Sequence, residues 1–413
     1  MGGPTKTQVT YRLEMFRAVS AGIIESAAGT FLLTIAVQWY KAGSVSKALI
    51  AAAGSCGLLL SPVVVWMTAR LRWPTSRAAS RLFVVGALGF LAAAIAPWLP
   101  VFVLGTSVGL IASSACVPLV TQIYQENYPA HRRGRLLSGS FMIRIASAAV
   151  MSGVGGMALD NGRMRGFPWM LAVFGLAMAF ASFCLSRCPS LPLLHDTGAH
   201  PLKGWKHVQS DALFRQTLIS WMLMGFANLM MLPLRVEYLA NPKYGLALNT
   251  TTIALLTGVI PHSARFIMSP IWGRLFDRMN FFALRLTLNL GFALGILGFF
   301  TSNHPLGLIL GSVLYGISNA GGDVAWSLWV TRFAPAERVA EYMAVHTFLT
   351  GFRGVLAPAA AFYLIDRFPV GGIAVVCATL IGLACLVLLP EIRSVRGDPS
   401  KIGVAPPMAE PKE

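Results

Sequence analysis

Twelve apolar runs of about 20 residues, joined by short polar stretches, restrict this 413-residue chain more than any other feature. Each run is long enough to cross ~30 Å of hydrocarbon as a helix, the form that satisfies every backbone polar group within one segment. The runs lie near residues 17–40, 46–69, 81–98, 101–124, 136–159 and 167–186, then 214–239, 249–272, 281–302, 306–331, 339–365 and 369–390. Charged residues make up 12% of the chain, about half the share usual in soluble domains, and no polar stretch is long enough for a soluble domain. The expected fold is therefore all-α and integral to a membrane. The first run lacks a short signal-type core with a cleavage site, so it is expected to stay as a helix.

The formal charge of +17 does not call for a nucleic-acid partner, because Lys and Arg gather on alternate connections. Arg70, Arg72, Arg77 and Arg81 follow the second run, Arg132, Arg133 and Arg135 the fourth, and Arg274, Arg278 and Arg285 the eighth. The other connections hold fewer, among them Lys41, Lys47, Arg235, Lys243 and Arg367. This bias puts both termini on the cytoplasmic side. Short outer loops without targeting signals suit a bacterial inner membrane. The cysteines, at 56, 116, 184, 188, 377 and 385, lie in or beside apolar runs and read as packing thiols.

The chain also repeats itself at half its length. Ser61-Pro62 through Trp66 to Arg70 shares its frame with Ser269-Pro270 through Gly273-Arg274 to Asp277-Arg278. Further matches follow in order: Phe16-Arg17 with Phe214-Arg215, Tyr40 with Tyr238, Leu104-Gly105 with Leu310-Gly311, Pro129-Ala130 with Pro335-Ala336, and Asp160 with Asp366. Six helices per copy set both copies the same way up, a parallel repeat of the kind seen in transporters. The expected divisions are a cytoplasmic N-terminus at 1–12, six-helix bundles at 13–186 and 214–392, a cytoplasmic linker at 187–213, and a disordered tail at 393–413.

Gly273-Arg274-Leu275-Phe276-Asp277-Arg278 resembles the loop motif between the second and third helices of each half in the major facilitator superfamily. Arg133-Gly134-Arg135, after Tyr128-Pro129, is similar to that family's basic loop after the fourth helix. The resemblance covers the whole twelve-run plan and implies two bundles rocking about a central cavity. It implies that Gly273, Arg274, Asp277, Arg278 and Arg70 form a conformational motif that braces one state at the cytoplasmic face. The first copy departs from the pattern, with Ala69 in place of the Asp and Val65 in place of the Gly. A carboxylate at Asp277 would be favoured by about 0.3–1 kcal/mol beside a helix start.

Ionisable groups deep in a membrane cost at least ~2.5–3.5 kcal/mol each and usually face a partner or a wet cavity. Six stand out: Glu25, Arg144, His262, Arg265, Asp323 and Arg353. Counting from the nearest cytoplasmic arginine puts Glu25, Arg144, Arg265 and Asp323 about 12–14 Å inside, and Arg353 about 22 Å. Glu25, His262, Arg265, Asp323 and Arg353 each align with an uncharged residue in the other copy, which favours a task particular to this chain. His262 and Arg265 share a helix face, as do Asn319 and Asp323, with Trp326 close by. Gly22, Glu25, Ser26 and Gly29 form a small polar stripe. The family plan implies that Glu25 and Asp323 are on cavity-lining helices, with Arg144, Arg265 and Arg353 on flanking ones.

Three arginines over two carboxylates suggest an anionic cargo, since a guanidinium fork holds a carboxylate or phosphate bidentately. The expected function is secondary transport of a small organic anion or anionic amphiphile. Arg265, Arg353 and Arg144 would hold the cargo, with His262, Asn319 and Trp326 alongside. Glu25 and Asp323 would carry the proton. No cofactor is expected, only a proton or sodium gradient; the partners are the cargo and the lipid bilayer, and the chain is read as a monomer. Alternatives are a drug/proton antiporter exporting cationic or neutral compounds, and a non-transporting sensor or scaffold. An enzyme is not expected, as no nucleotide loop and no HExxH pattern occurs.

Overall fold

A computed structural model of the chain describes residues 5–161, 164–192, 201–332 and 339–397. The first half contains α1 Lys6–Gln38, α2 Ser44–Arg70, α3 Thr75–Ile95, α4 Leu99–Asn127, α5 Ala130–Asn161 and α6 Phe167–Ser186. A short helix, α7 Pro201–Ser210, leads to the second half. There α8 Ala212–Ala240 is followed by α9 at 250–278, α10 Phe281–Phe300, α11 Pro305–Leu328, α12 Val339–Leu364 and α13 Val370–Gly397.

Among the described residues, ten helices are long and apolar enough to cross a membrane by composition alone. The two crossings that fall short are α9 and α11, which carry His262 with Arg265 and Asn319 with Asp323. Polar caps mark several helix starts: the side chains of Thr5, Asp211, Asn249, Asn280 and His304 each accept a hydrogen bond from the first turn that follows.

Within the first half, α3 packs on α4 and α6, and α1 on α5 and α6; within the second, α10 packs on α11 and α13, and α9 on α11. The duplication is visible at two glycine pairs in equivalent places. A Cβ built on Gly105 would lie 2.4 Å from the Gly89 carbonyl oxygen, and one on Gly311 would lie 2.8 Å from that of Gly295. Helices α3 and α4, like α10 and α11, therefore touch backbone to backbone, which only glycine permits. Gly105-Thr106-Ser107-Val108-Gly109 has the spacing of a hydrolase elbow, but it lies within helical α4, where its glycines serve this packing.

The halves meet along two seams, α2 against α12 and α5 against α9. One turn of α1, Ala27–Phe31, and one of α9, Leu255–Val259, are wound as π-helix. Such turns insert one residue and frequently mark functional sites. Here they face each other, with the buried hydroxyls of Thr30 and Thr257 3.0 Å apart.

Several expectations change. The stretch read wholly as linker contains α7, which starts at Pro201 and docks on α12, with the His207 ring stacked on Tyr342 at 4.5 Å. Helix α13 continues to Gly397 past Pro390, while the remainder of the expected tail lies outside the described residues. Lys47, Arg235 and Arg285, counted as loop charges, are buried. Each lies within a turn or two of a helix end, so counting by loops exposed side chains that the helices turn inward.

Candidate functional site

We call the face where α1 begins the terminal face and the opposite one the far face. The site is set by how closely α1 approaches α5. A Cβ on Gly22 would fall 2.3 Å from the Arg144 carbonyl oxygen, so the two backbones are in contact there. This explains one glycine of the polar stripe by packing; Gly29 has open space around it. The contact sets Glu25 beside Arg144, whose Nε lies 3.0 Å from Glu25 Oε2.

Glu25 also reaches across to the second half, where Arg265 of α9 donates through Nη1 to Glu25 Oε1. Arg265 donates in turn through Nε to Asp323 Oδ2 of α11, at 2.7 Å. The result is one alternating chain, Arg144–Glu25–Arg265–Asp323, that ties the halves together. Its formal charges sum to zero. Arg265 is buried, with a side chain 4% exposed, whereas Asp323 is 44% exposed. Arg144 and Glu25 are partly exposed, so the chain is sealed at its centre and accessible at its ends.

His262 stands one turn before Arg265, half-buried and within the field of Glu25. Asn319, one turn from Asp323, is also half-buried, and the Trp326 ring centre lies 5.7 Å from that of His346. His262 and Asn319 thus stand one turn from Arg265 and Asp323 along their own helices, while the ring contact of Trp326 is with α12.

Arg353 does not join them. It is buried inside the second half, where its Nη1 donates to the Trp221 carbonyl and its guanidinium lies on Gly225 of α8. The expected excess of three cations over two carboxylates therefore does not exist at this site. A Cβ on Gly225 would sit 2.1 Å from Arg353 Cζ. Gly225→Ala is expected to push the flexible end of Arg353 off the Trp221 carbonyl at a cost of about 1 kcal/mol, read as a slightly lower melting temperature of the purified protein. The double variant Gly225→Ala/Arg353→Ala should lose that penalty.

The loop motif is also partly redrawn. Gly273, Arg274 and Arg278 lie in the last turns of α9, and Arg274 and Arg278 are exposed. Arg70 at the end of α2 lies over the Trp66 ring at 5.2 Å. The backbone of Asp277 belongs to the final turn of α9, and its side chain lies outside the described residues. The residue that caps the following helix is Asn280, whose Oδ1 accepts from the Phe282 and Ala283 amides.

Sequence reasoning missed a second set of contacts between the halves, on the far face. Lys47 Nζ of α2 pairs with Glu237 Oε1 of α8 at 2.7 Å, and both side chains are buried. Asn241 Nδ2 donates to the same oxygen at 2.8 Å. Gln38 Nε2 donates to the Leu248 carbonyl at 3.0 Å. The repeated aspartates act as a matched pair. Asp160 accepts from the Thr250 amide at 3.2 Å and the Thr251 hydroxyl at 2.9 Å, and Asp366 accepts from the Ser44 hydroxyl at 2.6 Å. Each carboxylate holds the first turn of a helix from the other half, where the helix dipole favours it. The signal was present in the sequence as the Asp160–Asp366 match, but nothing there named the partners.

The Major Facilitator Superfamily model matches residues 16–285 and 243–409. The chain belongs to the major facilitator superfamily. It is a membrane transporter, not an enzyme, and shares that family's two-half, twelve-helix architecture. Similar solved structures include the D-xylose-proton symporter, at TM-score 0.72 and 18% identity, covering 92% of this chain and 97% of that one. The nucleoside transporter NupG aligns at TM-score 0.72 and 11% identity over 93% of this chain and 99% of that one. A POT family transporter in complex with a thioalcohol-conjugated peptide aligns at 0.70 and 13% identity, over 94% and 96%. No curated protein sequence matches the chain. At these identities the likeness is one of fold, so the superfamily is fixed while the cargo is not.

Proposed function

We propose that this transporter carries a small organic anion together with a proton, by alternating access across a bacterial inner membrane with both termini in the cytoplasm. The observation that carries the reading is the alternating chain Arg144–Glu25–Arg265–Asp323 spanning the two halves. An anion entering alone would leave a net negative charge in a poorly hydrated site, and a proton alone a positive one. Either imbalance is costly at low dielectric. Entering together, they keep the sum at zero.

A proton on Glu25 or Asp323 would release one guanidinium fork from its carboxylate, and the cargo's carboxylate or phosphate would take that place. Arg144 and Arg265 are the cargo-holding groups in this scheme, with His262, Asn319 and Trp326 shaping the surroundings. Arg353 has no part in it. The arginine distribution supports a cytoplasmic terminal face, and the far-face contacts would then close the external side. Proton coupling has a precedent in the structurally similar xylose symporter. The sugar, nucleoside and peptide named for the similar structures differ in charge from the cargo proposed.

The test is uptake of labelled organic acids into proteoliposomes under imposed pH gradients. Uptake should rise as the loading side is made more acidic, because protonation is what releases the fork. Glu25→Gln and Asp323→Asn should flatten that dependence. Unchanged pH dependence in both variants would refute the proton role, and exchange of cationic dyes for protons would replace the anion reading with drug antiport.

A further inference from the structure

Two buried cations of the second half that lie apart from the transport site, Arg285 and Arg353, have no carboxylate partner among the described residues. Arg285 of α10 is fully buried, and its Nε, Nη1 and Nη2 have no hydrogen-bond partner among the described residues. Its guanidinium lies on the Trp221 ring, 3.5 Å from the centroid. Arg353 of α12 reaches the same tryptophan through its backbone carbonyl, and its own Nε has no partner among the described residues. Asn289, one turn beyond Arg285, is fully buried beside the Cys385 thiol, and neither amide atom has a nitrogen or oxygen partner among the described residues. His346 of α12 is fully buried, with both ring nitrogens unpartnered among the described residues and its ring 5.3 Å from that of Trp221. Neither arginine pairs with a carboxylate among the described residues.

Buried guanidiniums are ordinarily paired, because an uncompensated charge in the interior is among the costliest features a fold can carry. The contrast within this chain is direct: Arg265, equally buried, holds two carboxylates. The face of the Trp221 ring offsets part of the cost for Arg285 but satisfies none of its N–H groups.

We infer that Arg285, Arg353 and Asn289 bind a small inorganic anion, of the size and charge of chloride, as a permanent part of the second half. The unused guanidinium donors of Arg285 and Arg353 meet at Trp221, the Asn289 amide stands one turn from Arg285, and the His346 ring lies beside the same tryptophan. The ligand is small because Arg285, Asn289 and His346 are wholly enclosed by helices. A lipid headgroup or an organic acid would need an opening to the surface. The assignment is independent of the cargo and of the proton step.

The experiment is thermal unfolding of the purified full chain in detergent, in sodium chloride or bromide against sodium gluconate at matched ionic strength. Wild type should show a saturable rise in melting temperature of about 3 °C or more in the halides, as expected for a ligand that binds only the folded state. Arg285→Met should abolish the halide dependence and be at least as stable as wild type in gluconate, because one of two adjacent cations is gone. Should that variant fail to fold, Asn289→Leu is expected to weaken the halide response tenfold or more in midpoint concentration. Equal melting temperatures in chloride and gluconate at every concentration would overturn the assignment. So would a halide response that survives Arg285→Met and disappears in Arg144→Gln, which would move the anion to the transport site.

Discussion

Arg265→Met is expected to reduce transport a hundredfold or more and to destabilise the protein. Arg265 is the cation that touches a carboxylate from each half, Glu25 of α1 and Asp323 of α11. Removing it strips the part-exposed Asp323 of its cation and leaves Glu25 with Arg144 alone, a cost of about 3 kcal/mol, the lower end of the range for breaking a buried pair. At 1.4 kcal/mol per tenfold, that is two decades or more in any equilibrium the bridge controls. Arg265→Lys keeps the charge but lacks the planar fork that serves both carboxylates at once, so an intermediate loss of about tenfold is expected. Pairing Arg265→Met with Glu25→Gln should restore much of the melting temperature without restoring transport. Initial uptake rates and thermal unfolding of the same preparations read these outcomes, and wild-type uptake by Arg265→Met would remove the bridge from the mechanism.

The second large effect belongs to the far face. Lys47 and Glu237 form a buried pair between the halves, supported by Asn241. Lys47→Met leaves Glu237 buried without its cation, a loss of about 3–5 kcal/mol from whichever state keeps this face shut. A shift of that size carries a closed-to-open ratio of 99:1 most of the way to its inverse. Spin labels at Val45 and Phe368, exposed on opposite sides of the seam, should report a longer distance in the variant. Lys47→Met/Glu237→Met, which removes both charges, should recover the short distance. An unchanged distance in the single variant would mean that the aspartate contacts at Asp160 and Asp366 hold the face closed unaided.

The architecture was legible because the bilayer leaves few choices: an apolar run of that length becomes a helix whatever its neighbours are. The Asp160–Asp366 match and the shared frames even located equivalent points in the two halves. Within the site, Glu25, Arg144, Arg265 and Asp323 stood out because charge deep in an apolar run is costly and therefore informative. What could not be read was pairing. Arg353 looks like Arg265 in sequence, yet one lies against Trp221 and Gly225 while the other bridges the halves. That difference depends on helix rotation, which a single apolar pattern does not fix. Lys47, Glu237 and Arg285 were missed for a related reason. They lie near helix ends, where depth counted along the chain cannot separate a side chain turned to water from one turned to the seam. Helix α7 escaped because a short amphipathic turn amid prolines looks like loop until α12 is there to cover it.

The most direct measurement is the proton count per anion moved. Proteoliposomes loaded with a pH-sensitive dye are given an organic acid that the carrier accepts, with the membrane potential clamped at zero. The account predicts internal acidification at a fixed ratio of one proton per anionic charge, with no accompanying current, and loss of that ratio in Glu25→Gln. Anion entry that carries current and leaves the internal pH unchanged would contradict it.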